Sequence, residues 1–158
     1  MLIDLFKEII QDPEFPENQA WRWRKFNAQE LVIRAGDTDR KIFLVKTGNL
    51  RVTGRVELED GKRVQPGLND LGPGDLFGEV TLFGEGPRTA SVTALSEVEV
   101  LEIDCARLIE YTDRHRDIGY ELIKSIFQIL VERFGKACER VEYFVGWGLK
   151  AHGIDKHL

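Results

Sequence analysis

Cysteine, methionine and histidine are scarce in this chain of 158 residues, at two, one and three copies. Two cysteines are too few for the disulfide framework of a small secreted domain. Cys105 and Cys138 fall in helical patterns and neither has the CxxC partner of a zinc finger. They read as two reduced core thiols, with a single disulfide as the alternative. The histidines, His115, His152 and His157, all lie towards the C-terminus, where they read as surface residues. A metal-dependent enzyme built on strands needs histidines converging from neighbouring strands. No Ser-His-Asp set or carboxylate pair stands out among the strands either. The expectation is therefore no catalytic residue, no metal and no cofactor.

Basic excess is also missing. Twenty-two Lys and Arg against 27 Asp and Glu leave a net charge of −5, which argues against a phosphate-backbone partner. No apolar run reaches the ~18 residues of a membrane span. The opening "MLIDLFKEII" carries Asp4 and Glu8 and lacks the basic flank and cleavage site of a secretory signal. A cytoplasmic chain without membrane segments is expected. Its 42% hydrophobic and 31% charged content fits one globular domain over residues 1–158.

What is present changes period twice. Leu2, Leu5, Phe6, Ile9 and Ile10 share a helical stripe, which "DPEFPEN" breaks with two prolines. From residue 20 to 103 the period is two. Strands are expected at Trp21–Phe26, Glu30–Arg34, Lys41–Lys46, Leu50–Glu59, Lys62–Leu71, Ala90–Ala94 and Val98–Ile103, with a short one closing at Phe77-Gly78. Asp60-Gly61 marks a hairpin. Pro66 cannot donate to a ladder, so an edge or a bulge is expected there. Turns separate these strands, with no helices of the crossover kind, which points to an antiparallel sandwich or roll. From residue 104 the helical period returns. Asp104 fits an N-cap for a helix to about Tyr111, and a long helix should run from Asp117 to Val145, stopping at Gly146 and Gly148. Gly119 and Gly135 would weaken it by ~1 kcal/mol each. Trp21 and Trp23 read as core or sheet-face aromatics, and Arg22, Arg24 and Lys25 as a solvated edge.

The stretch "FGEVTLFGEGPRTASV" interrupts the strands. "GEVTLF" allows one or two helical turns, whose first amides lack intrahelical partners and carry the positive end of a dipole. Gly84-Glu85-Gly86-Pro87 then returns the chain so that Arg88 approaches the helix start. Arg88 is the only cation between Arg63 and Arg107. Its planar fork suits the paired oxygens of a phosphate, and Glu79 could accept from ribose hydroxyls. The alternative is a solvated ion pair of Arg88 with Glu79 or Glu85, worth ~0–1 kcal/mol. "GPGDLFG" imitates a dinucleotide fingerprint, but it is one residue too long and lacks a parallel βαβ unit.

The run "LGPGDLFGEVTLFGEGPRTASVTALSEVEVLEID" resembles the phosphate-binding cassette of the cyclic nucleotide-binding domain family, which includes catabolite activator protein and the regulatory modules of cyclic-nucleotide-dependent kinases and channels. "LVIRAGDTDRKIFLVKTGNLRV" and "ELEDGK" resemble the family's opening strands and hairpin. The likeness runs from about Trp21 to Asp104. It implies an α+β, mainly β fold: an antiparallel eight-stranded β-roll or jelly roll over 20–103, with a cassette at 74–92. A short N-terminal helix and loop (1–19) and C-terminal helices ending in one long helix (104–158) complete it.

The resemblance also implies roles. Arg88 would pair with the cyclic phosphate and Glu79 with the ribose 2′-hydroxyl, beside the Gly78 backbone. Backbone amides near Val80, Thr81 and Thr89 would complete the cradle, and Ala90 would line the wall. Thr89 fits cGMP through the guanine 2-amino group and is also compatible with cAMP, so the base stays open. Thr81 departs from the family's usual alanine or serine. Tyr143, Phe144 and Trp147 are candidates to cap the base. The implied function is a cyclic-nucleotide sensor whose ligand draws in the loop Gly84–Arg88 and repositions the helices after Asp104. The signal would pass to an unknown effector protein or to a homodimer through the C-terminal helix, since Ile123, Phe127 and Val131 widen the apolar stripe. A single broad face packed on its own roll is the alternative. The 13 residues after Val145 are too few for a helix-turn-helix, so no DNA-binding domain is expected. A degenerate cassette that binds no nucleotide and serves as an interaction scaffold is the competing function.

Overall fold

The change of hydrophobic period near Trp21 is where helix gives way to strand. The structure, a computed structural model, describes residues 2–153. Its elements are α1 (Leu2–Gln11), β1 (Trp21–Phe26), β2 (Leu31–Ile33), β3 (Lys41–Thr47), β4 (Leu50–Thr53), β5 (Val56–Glu57), β6 (Arg63–Val64), β7 (Gly67–Leu71), β8 (Leu76–Phe77), α2 (Val80–Phe83), β9 (Ser91–Ala94), β10 (Val98–Asp104), α3 (Cys105–Arg114) and α4 (Arg116–Ala151). Contacts group them into two units, Met1–Gly119 and Tyr120–Leu158.

The first unit is an antiparallel roll. One sheet has the order β1-β10-β3-β8, a second β2-β9-β4-β7, and β5-β6 forms a separate ribbon. An antiparallel roll is what the turn-separated strands imply, and its jelly-roll form with flanking helices is what the family resemblance implies. The ten strands of the described residues correspond to eight arms, because both arms of the central hairpin break. The break in the second arm falls at Gln65-Pro66. The register shifts between Val52 and Thr53, and the Gly54 amide bonds the Pro66 carbonyl at 2.9 Å. A residue without an N–H interrupts the ladder there, and the bulge absorbs it.

The roll encloses an apolar cluster that includes Phe43, Val45, Leu50, Leu71, Phe77, Val92, Val98 and Val100. Phe43 and Phe77 stack with centroids 5.0 Å apart, a pair worth ~0.5–1.5 kcal/mol beyond its buried area. Residues Ile42 to Val45 are buried without a break, so both faces of β3 are covered. α3 packs against β10 and buries Leu108 and Tyr111. Asp104 caps α3 as its sequence position implies, accepting from the Arg107 amide at 2.9 Å.

Four local expectations are corrected. Arg22 and Arg24 do lie partly exposed on the edge strand β1, but they are not merely solvated: both pair with buried Glu102, at 2.7 and 3.0 Å, together with Lys41 at 3.0 Å. A carboxylate placed opposite β1 in the register draws its cations across the sheet. His115 is more than a surface residue. Its Nε2 lies 2.7 Å from the Glu14 carboxylate and its ring stacks on Tyr111 at 4.2 Å. His152 is exposed, and His157 lies outside the described residues. Both cysteines are free thiols, but only Cys105 belongs to the core, since Cys138 is exposed on α4.

The fourth correction concerns the end of α4, which runs through Gly119, Gly135, Gly146 and Gly148 to Ala151. None of those four glycines has a positive φ; Gly153, at φ 68°, does. The left-handed residue that ends a helix is thus Gly153, whose amide bonds the Lys150 carbonyl at 3.1 Å. In the second unit Ile123, Phe127 and Val131 are exposed. None of the described helices is long and apolar enough to cross a membrane.

Candidate functional site

The stretch between β7 and β9 is built from turns that fix one another. In the Gly72–Asp75 turn the Asp75 amide bonds the Gly72 carbonyl at 3.0 Å, and the Asp75 side chain accepts from the Gly72 amide at 2.8 Å. β8 pairs with Phe43 and Leu44 of β3. Gly78, at φ 79°, then swings the chain out of the sheet into α2, a conformation that a side chain would oppose. Thr81, which is buried, ties the helix back to this bend. Its hydroxyl donates to the Gly78 carbonyl at 2.9 Å and its amide reaches the same oxygen at 3.2 Å. The Thr81 amide is therefore engaged within the protein. The Leu82 amide is too, on Glu79 O at 3.0 Å.

Beyond the Gly84–Pro87 reversal, Arg88 returns to the start of α2, only 6% exposed. Its Nη1 donates to the Gly78 carbonyl and to the Thr81 hydroxyl, both at 3.2 Å. Nη2 donates to the Lys41 carbonyl at 2.6 Å and to Asp39 Oδ2 at 2.7 Å, and Nε donates to Asp39 Oδ1 at 3.2 Å. The carboxylate bound to Arg88 is thus Asp39, a partner that the alternative reading of an ion pair with Glu79 or Glu85 did not name. This pair is fork-on-fork and charge-assisted. The Arg88 hydrogen bond holds the Asp39 carboxyl below the usual carboxylate range, against the opposing effect of partial burial.

The segment carrying Asp39, between β2 and β3, grips the cassette at three further points. The Gly36 amide donates to the Arg88 carbonyl at 2.8 Å, and the Arg88 amide donates to the Asp37 carbonyl at 2.7 Å. Arg40 donates to the carbonyls of Thr81 and Leu82, at 3.3 and 3.1 Å, and so caps the C-terminal end of α2 with a cation. None of these partners was identified from sequence. The signal available was an acidic and basic run, "GDTDRK", at a glycine turn.

Glu79, 7% exposed, occupies the N-cap position of α2 in αR conformation without a side-chain capping bond. The structure therefore brings Gly78, Glu79, Thr81 and Arg88 together. Val80 and Thr89 are exposed, and Ala90 is half-buried. Among the described residues no cluster of His, Cys, Asp and Glu has the makings of a metal site. Burial pushes the Cys105 thiol above its usual value, and its sulfur lies 3.9 Å from the Thr81 hydroxyl.

A family model described as "Cyclic nucleotide-binding domain" matches residues 23–115. The cAMP-activated global transcriptional regulator Vfr of Pseudomonas aeruginosa is 36% identical over 103 residues, covering 63% of this chain and 46% of that protein. A CRP-like cAMP-activated global transcriptional regulator of Mycobacterium tuberculosis is 28% identical over 105 residues, covering 64% and 43%. The chain thus spans less than half the length of these curated relatives. Among solved structures, the catabolite activator protein of Thermus thermophilus superposes with a TM-score of 0.58 at 26% identity, over 71% of this chain and 51% of that one.

Proposed function

Because the chain belongs to the cyclic nucleotide-binding domain family, we propose that it is a sensor for cAMP or cGMP that performs no chemistry on its ligand. The observation that carries this reading is the buried guanidinium of Arg88, set against the bend at Gly78 with buried Glu79 beside it. A cation held out of water next to small-residue turns is a receptor for a compact monoanion. In this reading Arg88 takes the cyclic phosphate and Glu79 accepts from the ribose 2′-hydroxyl. Gly78, Val80 and Thr89 supply the backbone surroundings and Thr81 its hydroxyl, and Ala90 leaves the wall open. Thr89 is compatible with either base. The roll over 20–103 is the ligand-binding part, with its cassette at 74–92.

The output follows the helices. Ligand shifts a pre-existing equilibrium by its different affinity for two states, drawing in Gly84–Arg88 and moving the segment after Asp104. On α4, Ile123, Phe127, Leu130, Phe134, Val141 and Phe144 follow one another at steps of four, three, four, seven and three residues, with Ala137 inside the long step, and are 37–72% exposed. That spacing is a coiled-coil seam, and the partner proposed for it is a second copy of the chain.

One observation favours the competing reading of a cassette that binds nothing. All five N–H groups of Arg88 already have acceptors, and Asp39 already supplies a counter-charge. Thermal unfolding with cAMP, with cGMP and in buffer separates the two readings. A ligand at ~100 times its dissociation constant adds ~2.7 kcal/mol of stability, whereas a degenerate cassette melts unchanged in all three.

A further inference from the structure

The five N–H hydrogens of Arg88 meet five acceptors, so an incoming phosphate oxygen must displace one. The two edges of the guanidinium are held differently. Nε and Nη2 face Asp39, and Nη2 makes the two shortest bonds, 2.7 Å to Asp39 and 2.6 Å to the Lys41 carbonyl. Nη1 makes two long bonds, both 3.2 Å, to acceptors that do not depend on it. The Gly78 carbonyl keeps the Thr81 hydroxyl and amide if Arg88 leaves. The Thr81 hydroxyl keeps its donation to Gly78. Exchange at Nη1 therefore strands no buried polar group. Exchange on the Asp39 side would leave either a carboxylate without its cation or the Lys41 carbonyl without its donor.

Asp39 is itself fixed within a charged and hydrogen-bonded surround. On one side of it the Asp37 carbonyl accepts from the Arg88 amide, and on the other the Arg40 side chain caps α2. The Lys41 ammonium, 3.0 Å from Glu102, adds its field at the Asp39 carboxylate. We propose that Asp39 is the positioning residue of the phosphate site. It pins the Nε–Nη2 edge of Arg88, so that Nη1, the edge facing Gly78 and Thr81, is the one offered to a phosphate oxygen. This rests on the reading of Arg88 as the phosphate ligand and adds to it the residue that sets the direction of the guanidinium.

The test is calorimetric titration of the wild-type chain, Asp39→Ala and Asp39→Asn with cAMP and cGMP. The nucleotide that binds is then followed by its two phosphorothioate diastereomers, in which sulfur replaces one or the other exocyclic oxygen. Asp39→Ala should bind about 10-fold more weakly, a loss of ~1.4 kcal/mol. Its preference between the diastereomers should shrink towards unity, because an unpinned guanidinium no longer selects one oxygen. A purely structural role would lower the melting temperature and leave that preference intact. In an Arg88→Ala background the Asp39 substitution should have no further effect on affinity. Asp39→Asn keeps the shape of the side chain and carries the test if the alanine variant does not fold. Asp39 variants that bind as tightly as wild type, or more tightly, overturn the inference alone. A wild-type chain that binds neither nucleotide overturns the site reading and the inference with it.

Discussion

Gly78 backs directly onto Arg88: a Cβ on Gly78 would sit 2.9 Å from Arg88 Nη1 and 2.9 Å from the Lys41 carbonyl oxygen. The guanidinium could shift, but the carbonyl belongs to β3 and cannot move cheaply. The positive φ of Gly78 adds a penalty for any side chain. Gly78→Ala should therefore lower unfolding free energy by about 2 kcal/mol, read by urea denaturation. A variant as stable as wild type would mean that the bend relaxes without cost.

Acid should loosen the same site. Asp39 has a carboxyl pKa held below its unfolded value of 3.8, first by the Arg88 hydrogen bond. Its stabilising contribution is therefore complete above that value and is lost as the pH falls through the lowered one. The side chain is 40% exposed, so solvent screens part of the effect. Melting temperatures taken from about pH 5 down to about pH 2.5 should fall more steeply for wild type than for Asp39→Asn. Parallel curves would remove the Asp39–Arg88 pair from the acid response.

The two thiols should separate in reactivity. Cys105 is buried and its pKa is raised by burial, while Cys138 is exposed on α4. The thiolate is the reactive form, and access is required as well. A disulfide-exchange reagent at neutral pH should titrate one thiol per chain quickly and the second only after denaturant is added. Rapid reaction of both would contradict the packing of Cys105 against Thr81.

The seam on α4 predicts a dimer. Light scattering should give twice the chain mass for wild type. Phe127→Lys combined with Phe134→Lys should give a monomer whose roll melts as before, because both residues are exposed in the single chain. A monomeric wild type would leave the seam without its second copy.

Local signals were legible in the sequence and long-range ones were not. The glycine and proline turns, the single turn of α2, the Asp104 cap and the return of Arg88 all depend on residues a few positions apart, and each appears in the structure. Asp39 lies 49 positions from Arg88, and Glu102 lies 80 from Arg22 and 78 from Arg24. Those partners are set by strand register, and no spacing rule reports it. A search among the acidic residues nearest in sequence, Glu79 and Glu85, therefore could not reach Asp39. Gly146 and Gly148 failed as helix stops for a related reason. Glycine permits a stop but does not impose one, and the left-handed turn falls at Gly153.

Whether Arg88 holds the cyclic phosphate is decided by calorimetric titration of wild type and Arg88→Ala with cAMP and cGMP. Wild type should show saturable one-to-one binding of at least one nucleotide. The variant should lose about 2–5 kcal/mol of binding free energy, because a desolvated phosphate would face the site without its cation. Equal dissociation constants for the two proteins, or no heat from either nucleotide with wild type, would remove Arg88 from the role of phosphate ligand.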